Sequence, residues 1–515
     1  MRAAPAAHRR PPAALALAGA AVACAMALPL AYLLLRASGA DDALGLVATD
    51  RARRLVTTTV ALGAVATAAA VVLGAGIAWL VERTDLPARR ALGLAAVLPL
   101  VVPSYVGALA LKAAFGPAGL VAEVPGLLGF PGAAAALALS SFPYVLLLAR
   151  AALAGADPAL EEAARSLGDR GLALARRQLV PLLRPAVAAG GLLVFLYVLS
   201  DFGAVSILQV DTVTRGIFLE YRSLTADRAP AAVLGVVLVA LTLGAIVAER
   251  AVRGRPAPAR AVAGVAPPRP VRLGPWRWPA AAAVVAVVAA GIGVPVAVVV
   301  YWAAVGSSRG AAGSILASAA TTSVGLSAAA ALAAVAAAVP VAVLAVRHRS
   351  RFSRAVEAVS VSGYALPGLV IALSLVFFSA RYLRPLYQTL ALIVVAYVVR
   401  FLPEALGSVR SSLVQVDPAV EEAARSLGRR PLAVAATVTL PLVRRGLLAG
   451  GALVFLTAMK ELPATLLLRP PGVDTLAVRV WTGAAEGLYA QAAPPALLLV
   501  AVSALVLWPL RTAAR

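Results

Sequence analysis

The sequence predicts an all-α, polytopic membrane protein, with about 12 transmembrane helices in two parallel, pseudo-twofold repeats. Three observations predict this fold: the composition, the number of long apolar stretches and an internal repeat. Of the 515 residues, 62% are hydrophobic and 13% are charged. Soluble domains are about 45 to 50% apolar and about 25% charged. A soluble enzyme is therefore excluded, because no globular core could bury so much apolar surface.

The apolar stretches give the predicted membrane spans, since about 20 apolar residues cross a bilayer as one helix. In the first half they lie at 13–35, 55–81, 91–113, 132–149, 186–208 and 229–248. In the second half they lie at 280–303, 316–346, 358–380, 386–399, 446–468 and 492–510. The first stretch is longer than the core of a signal peptide, so we expect it to be retained. Prolines in the third and ninth stretches predict bends within continuous spans.

The basic residues predict the orientation. With a cytoplasmic N-terminus, 32 of the 46 Lys and Arg residues lie on the inner side and 12 on the outer side. Lys and Arg favour cytoplasmic loops, so we expect both termini in the cytoplasm of a bacterial cell, with the chain in its inner membrane. The net charge of +23 then reflects membrane orientation, and no nucleic-acid partner is expected.

Few residues suit redox or metal chemistry. Cys24 is the only cysteine, and His8 and His348 are the only histidines. Disulfides are excluded, and a zinc or haem site is improbable with so few ligands. We therefore expect no metal site in this chain.

The internal repeat has an offset of 260 residues. Asp157–Gly168 reads DPALEEAARSLG and Asp417–Gly428 reads DPAVEEAARSLG, and 25 of the 40 aligned positions that begin with these segments are identical. Each copy lies in the inner loop between the fourth and fifth spans of its half. Because each half has an even number of spans, both halves have the same orientation in the membrane.

This repeat divides the chain into three parts. The first repeat covers residues 1–250, with its repeated loop at 157–185, and the second covers 280–515, with its loop at 417–445. Between them, residues 251–279 are rich in Pro and Arg and contain no stretch that could span. They predict a cytoplasmic linker.

The repeated segment carries the signals of a short helix. Asp157 is a good N-cap, Pro158 suits the first helical position, and Gly168 suits the position just past the end. One face would be apolar, at Leu160, Ala163, Ala164 and Leu167, and again at Val420, Ala423, Ala424 and Leu427. The residues alone leave three roles open: packing on other loops, lying on the membrane surface, and docking into the groove of a soluble partner.

The spacing resembles the EAA loop of ATP-binding cassette (ABC) importer permeases, whose pattern is E-A-A-x3-G-x9-I-x-L-P. The second copy is the closer match, at Glu422, Ala423, Ala424, Gly428, Val438, Leu440 and Pro441. The first copy departs from the pattern at Gln178 and Val180. In that family each such loop forms a coupling helix in a cleft of one ATPase subunit.

The resemblance implies two copies of a separate cytoplasmic ABC ATPase. The implied coupling residues are Glu161, Glu162, Ala163, Ala164, Gly168, Pro181, Glu421, Glu422, Ala423, Ala424, Gly428 and Pro441. The chain itself is not expected to be an enzyme or to hold a cofactor, and ATP and Mg would bind to the partner ATPase. A phosphate-binding loop needs a lysine followed by Ser or Thr, and Lys112 and Lys460 are followed by Ala and Glu.

Charged residues also occur at membrane depth. Asp201 and Glu461 occupy equivalent repeat positions, and Lys460 precedes Glu461. A carboxylate at such depth costs at least about 2.5 kcal/mol on insertion scales unless it faces protein or water. Two interpretations follow: the three residues line a translocation path, or Lys460 pairs with one of the carboxylates and orders the helix ends. Gly203 and Pro463 are expected to interrupt the helices just beyond.

The same segments extend the resemblance. SDFGAVSILQVDTVTRGIFLEY and MKELPATLLLRPPGVDTLAVRVW look like segments of fused iron(III) importer permeases. The resemblance implies an extracytoplasmic substrate-binding protein that touches the outer loops near 209–228 and 469–491. Related permeases for thiamine, polyamines, sulfate or phosphonates share the architecture and stay open as alternatives. An ion-coupled secondary carrier is a further alternative, because 12 spans in parallel halves also describe that class.

Overall fold

The computed structural model describes residues 11–39, 42–117, 119–155, 162, 166–167, 175–223, 228–253, 270–307 and 313–512. Helices make up most of these residues, and the β-structure among them is one isolated bridge between Thr84 and Val271. The fold class predicted from the sequence is confirmed: the protein is an all-α polytopic membrane protein built from two repeats.

The first half contains ten α-helices among its described residues. They are α1 (Ala13–Ser38), α2 (Ala43–Ala48), α3 (Asp50–Arg83), α4 (Arg89–Ala95), α5 (Ser104–Phe115), α6 (Phe130–Ala154), α7 (Val180–Ser200), α8 (Gly203–Ile207), α9 (Val213–Arg222) and α10 (Ala229–Arg253). A short 3-10 helix, Leu98–Val101, lies between α4 and α5.

The second half repeats this order. Its described helices are α11 (Arg277–Val288), α12 (Val294–Ser307), α13 (Gly313–Arg347), α14 (Arg351–Val361), α15 (Gly368–Tyr382), α16 (Leu390–Val414), α17 (Pro418–Ser426), α18 (Pro431–Val434), α19 (Leu440–Met459), α20 (Pro463–Leu468), α21 (Leu476–Ala485) and α22 (Tyr489–Thr512). The offset of 260 residues relates α6 to α16, α7 to α19 and α8 to α20.

Within the described residues, ten helical segments are long and apolar enough to cross a bilayer, and two bent pairs raise the number to 12. The bent pairs are Arg89–Val101 with Ser104–Phe115, at 92°, and Arg351–Ala365 with Gly368–Tyr382, at 108°. The sequence predicted continuous, merely kinked spans at 91–113 and 358–380, and this was wrong.

Proline explains the breaks. Pro103 and Pro367 both have extended backbone, with ψ values of 149° and 141°. Proline disfavours helical geometry in the residue before it and cannot donate a backbone hydrogen bond. In hydrocarbon the freed backbone groups need protein partners. The breaks therefore lie where the two halves pack together.

A second pair of breaks interrupts the fifth span of each half. Helix α7 ends at Ser200 and α8 begins at Gly203, while α19 ends at Met459 and α20 begins at Pro463. The predicted interruption at Gly203 and Pro463 is confirmed. All four breaks bring backbone polar groups to the centre of the protein.

The end of the linker is ordered. Helix α10 continues to Arg253, and residues 254–269 of the predicted linker lie outside the described residues. The Val271 N–H donates to the Arg83 carbonyl at 2.8 Å, and the Leu273 N–H donates to Asp85 Oδ1 at 2.8 Å. The second half thus begins with a segment attached to the loop between α3 and α4 of the first half.

Small residues allow the long helices of each half to pack closely, as in other membrane bundles. Gly74 of α3 lies against the backbone of α6, where a Cβ atom would come within 2.7 Å of the Phe142 carbonyl oxygen and 2.9 Å of the Leu146 nitrogen. Gly76, on the same helix, has no atom within 4 Å of the equivalent position.

We predict that Gly74→Ala destabilises the protein by about 1 to 3 kcal/mol, because backbone atoms must move to admit the methyl group. Gly76→Ala is the matched control and is expected to be neutral or slightly stabilising. Thermal unfolding of both variants in detergent checks this. Equal midpoints for the two would contradict the close packing of α3 on α6.

Candidate functional site

The second repeated loop forms the helix that the sequence predicted. Helix α17 begins after Asp417, whose carboxylate accepts the Ala419 N–H at 2.9 Å, and Pro418 occupies the first helical position. The cap satisfies one of the backbone donors that every helix start leaves unpaired. A nine-residue helix follows, which is too short to span the membrane.

Gly428 ends this helix in a left-handed conformation, with a φ of 83°. Its N–H donates to the Arg425 carbonyl at 2.9 Å, and the Arg429 N–H donates to the Ala424 carbonyl at 3.2 Å. These two bonds form a Schellman motif, which requires a residue that tolerates positive φ. The backbone geometry at the end of α17 thus explains why the repeated segment ends in a glycine.

Glu421 attaches α17 to the membrane-spanning helices. Its side chain is 7% exposed, and Oε1 accepts hydrogen bonds from Arg347 Nη2 and Thr439 Oγ1, both at 3.1 Å. Arg347, at the end of α13, also donates to the Val416 carbonyl at 2.9 Å. Although the sequence placed Glu421 among the coupling residues, its carboxylate faces the body of the protein and holds the helix in place.

The opposite face of α17 is exposed and largely apolar. Leu427 is 83% exposed and Val420 is 46% exposed, while Glu422 and Ala423 are also exposed. Ala424 is half-buried. A single exposed leucine is common on protein surfaces. A contiguous apolar face, however, marks an interaction surface. The structure thus leaves the predicted apolar face of α17 exposed.

The first repeated loop is described only in part. Glu162 and Pro181 are exposed, and Leu167, the equivalent of Leu427, is 87% exposed. The other predicted coupling residues of this loop lie outside the described residues: Glu161, Ala163, Ala164 and Gly168.

We predict that Arg347→Met loosens the attachment of α17, because the buried Glu421 carboxylate loses its charged partner. The loss destabilises this attachment by about 1 to 3 kcal/mol. Hydrogen exchange of the peptide covering 417–430 should become faster. Arg349→Met removes an exposed arginine two residues further on and should leave exchange unchanged. Identical exchange in both variants would mean that Arg347 does not anchor the loop.

Asp201 caps the break between α7 and α8. Its Oδ1 accepts the Ala204 N–H at 2.9 Å and the Val205 N–H at 3.3 Å. The Ser104 hydroxyl, at the break before α5, donates to its other oxygen. The carboxylate is buried and joins two broken helices of the first half.

Glu461 has the same place in the second half but a different partner. Its Oε2 lies 3.1 Å from Arg400 Nε, and its Oε1 accepts the Ala464 N–H at 3.3 Å. Lys460 pairs with neither Asp201 nor Glu461, contrary to one of the two interpretations. Its Nζ donates to the Leu100 carbonyl of the other half at 2.8 Å. A second-half lysine thus satisfies a carbonyl next to a break in the first half.

Sequence reasoning missed Arg400 and Glu404. It ended the tenth span at 399, or toward Leu402 at most, and assigned neither residue to the membrane, whereas α16 continues to Val414. Glu404 accepts a hydrogen bond from Thr457 Oγ1 at 3.0 Å. Applying the 260-residue offset to the fourth span, 132–149, gives 392–409, which would have placed both residues in the membrane.

A cavity of about 350 Å³ opens between the halves. It is lined by Phe218, Tyr221, Arg222, Gln388, Leu466, Leu467, Arg469, Pro470, Pro471 and Gly472. Both predicted outer contact loops, 209–228 and 469–491, contribute to it. Asp474 pairs with Arg469 and, at 2.7 Å, with Arg479. Burial, followed by the nearby Arg479 and Arg222 guanidiniums, lowers the pKa of Arg469.

Among the described residues no group of three or more His, Cys, Asp and Glu side chains could hold a metal ion.

Comparison with known proteins gives a consistent result. The family described as "Binding-protein-dependent transport system inner membrane component" matches residues 70–255 and 331–514. The Fe(3+)-transport system permease protein FbpB 2 of Haemophilus influenzae is 36% identical over 510 residues, which cover 98% of this chain and 99% of that protein.

Other relatives match one half of the chain. A probable molybdenum ABC transporter permease protein of Haloferax volcanii is 32% identical over 218 residues, covering 41% of this chain and 80% of that protein. A probable sulfate transport system permease protein of Chlorella vulgaris is 30% identical over 182 residues, covering 33% of this chain and 68% of that protein.

Proposed function

The chain belongs to the binding-protein-dependent transport system inner membrane component family, and from its similarity to an Fe(3+)-transport permease over 98% of its length we propose that it carries iron(III) into the cell. It is the permease of an ABC importer and lies in the inner membrane as a multi-pass protein. Because it contains two permease repeats, we infer that one copy forms the complete membrane-spanning part. Both termini are cytoplasmic in this proposal.

The substrate is inferred from the extent of the similarity. The Fe(3+)-transport permease from Haemophilus influenzae matches both halves, over 98% of this chain. The molybdenum and sulfate permeases match at most 41%. Family membership disfavours the ion-coupled carrier considered from the sequence, and iron(III) remains the substrate that the full-length similarity supports best.

The exposed apolar face of α17 supports the coupling mechanism. Two copies of a separate ABC ATPase would each receive one repeated loop, and these subunits would bind ATP and Mg. Glu422, Ala423 and Leu427 are exposed to such a partner, while Glu421 ties the helix to α13 through Arg347. Closure of the ATPases would pull the two loops together, and the two halves would rock from an inward-facing to an outward-facing state.

On the other side of the membrane, a substrate-binding protein would dock over the outer cavity. The cavity lies between the halves, so a rocking motion would change its width. In this proposal Asp201, Lys460 and Glu461 stand beside the translocation path, where they hold the ends of the broken helices. A change between inward-facing and outward-facing states would act on the contacts of these residues with Ser104, the Leu100 carbonyl and Arg400.

The docking proposal predicts that Leu167→Asp combined with Leu427→Asp reduces co-purification of the ATPase at least about tenfold, since a charge must enter an apolar cleft. Both leucines are more than 80% exposed, so folding should be unaffected. Leu44→Asp, which replaces an 86% exposed leucine of the outer side, is the control. Normal co-purification by the double variant would reject the docking surface.

The substrate proposal is tested by uptake in a bacterium that lacks other iron importers. Cells that express the permease with its ATPase and binding protein should accumulate radioactive iron supplied as iron(III) citrate. Uptake should stop when the binding protein is omitted or when ATP is depleted. Accumulation of sulfate, molybdate or thiamine in place of iron would show that the substrate assignment is wrong.

A further inference from the structure

The cavity between the halves carries positive charge. Two of the residues that line it are charged, and both are arginines: Arg222 at the end of α9 and Arg469 just after α20. None of its lining residues is Asp or Glu. The Tyr221 phenol and the Gln388 amide also line it and can donate further hydrogen bonds. The cavity thus presents one guanidinium from each half to a molecule that enters it.

The carboxylate beside the cavity is shared between two arginines. Asp474 pairs with Arg469 and, at 2.7 Å, with Arg479. The Arg469 guanidinium also donates to the Val473 carbonyl at 3.3 Å. One negative charge therefore faces two positive charges, and the segment after α20 keeps a surplus of positive charge at the cavity.

The first half adds two arginines that form no ion pair with the carboxylates of the described residues. The Arg222 guanidinium lies over the Phe218 ring, 5.7 Å from its centroid, and the Arg228 guanidinium lies 5.0 Å from the centroid of the Tyr221 ring. Both rings line the cavity. Stacking on an aromatic face orients a guanidinium but does not neutralise it. The cavity is therefore surrounded by oriented arginines whose charge is not balanced.

Gln388 reaches the cavity from a strained backbone. Its φ is 54°, in the left-handed region that is unfavourable for residues other than glycine. The residue is exposed, so burial of its side chain does not explain the strain. Strained residues of this kind are concentrated at binding sites. The backbone at Gln388 is a second indication that the cavity binds a polar group.

The cavity lies at the other end of the bundle from α17. Helix α16 connects the two places, because Gln388 precedes its start by two residues and Val416 follows its end by two residues. The Val416 carbonyl accepts a hydrogen bond from Arg347 beside α17. The 25 residues of α16 span about 37 Å. A molecule that fills the cavity is therefore not the ATPase that is proposed to bind α17.

The charge also decides between the cargo and a protein partner. A bare trivalent cation is repelled by a group of guanidiniums, so the cavity is not a resting place for free iron(III). A carboxylate is attracted, and the planar guanidinium can hold its two oxygens with parallel hydrogen bonds. A volume of about 350 Å³ admits the acidic side chains of a protruding loop.

We propose that Arg222 and Arg469 bind acidic side chains of the substrate-binding protein when that protein docks on the permease. This inference rests on the proposed function, in which such a protein delivers the substrate, and it names the chemistry of the docking contact. Because the two arginines belong to different halves, a carboxylate held by both requires a particular spacing of the halves. Docking is therefore tied to the state of the permease.

The experiment measures the affinity of the fluorescently labelled, substrate-loaded binding protein for the complete importer in lipid nanodiscs. Arg222→Gln should weaken binding at least about tenfold, because a charged hydrogen-bond partner is lost. Arg222→Glu should weaken it further, since it repels a carboxylate. Raising NaCl from about 0.05 to 0.3 M should weaken binding to the wild type more than to Arg222→Gln. Arg222 is exposed, and co-purification of the ATPase shows that each variant is assembled.

Arg381→Gln is the matched control, because it removes an exposed arginine from the last turn of α15 that does not line the cavity. Its affinity should equal that of the wild type. Wild-type affinity in both Arg222 variants, or an equal loss in Arg381→Gln, would overturn the contact. The measurement does not depend on transport. Failure of iron uptake with these affinity changes intact would reject the substrate and leave the contact in place.

Discussion

The structure depends on one constraint: a backbone N–H or carbonyl cannot be left without a partner in the hydrocarbon of a membrane. The protein breaks helices at four places inside the bilayer, near Pro103, Asp201, Pro367 and Glu461. At two of the breaks the carboxylate at the break caps the helix that follows: Asp201 accepts the Ala204 and Val205 N–H groups, and Glu461 accepts the Ala464 N–H. Near a third break the partner comes from the other half. The Lys460 ammonium donates a hydrogen bond to the Leu100 carbonyl, 360 residues earlier in the chain. The polar centre of the permease is thus a consequence of breaking its helices.

The same polar centre links the two faces of the protein. On the inner side, Glu421 and Arg347 join α17 to the end of α13, so a displacement of the short helix is passed to a long spanning helix. On the outer side, Trp481 of the second half donates to Ser206 of the first at 2.6 Å, and its ring packs against Phe202 and Phe218.

The sequence predicted the fold more fully than the site. Apolar stretches and the repeat predicted the 12 spans, because length and polarity alone decide what crosses a bilayer. Capping signals predicted the first and last residues of α17 to within one residue, because Asp417, Pro418 and Gly428 act on the backbone next to them. The sharp breaks were missed because a proline in a span more often bends a helix than breaks it. Arg400 and Glu404 were missed because a charge was taken as the end of a span. The partners of Lys460 lie in the other half, and no local pattern could reveal them.

The proposed function requires a translocation path, open to water, beside the broken helices, and thiol labelling at Thr457, which contacts Glu404, tests it most directly. Two single-cysteine variants are compared, Thr457→Cys and Leu448→Cys, each with Cys24 replaced by Ala. Each helical residue adds a rotation of 100°, so these two positions lie on opposite faces of α19. Leu448 is 73% exposed and faces away from the axis. A small, membrane-impermeant thiol reagent should modify Thr457→Cys, and nucleotide binding by the ATPase should change the rate, while Leu448→Cys stays unmodified. Equal labelling of the two, or none at Thr457→Cys in any nucleotide state, would contradict the account.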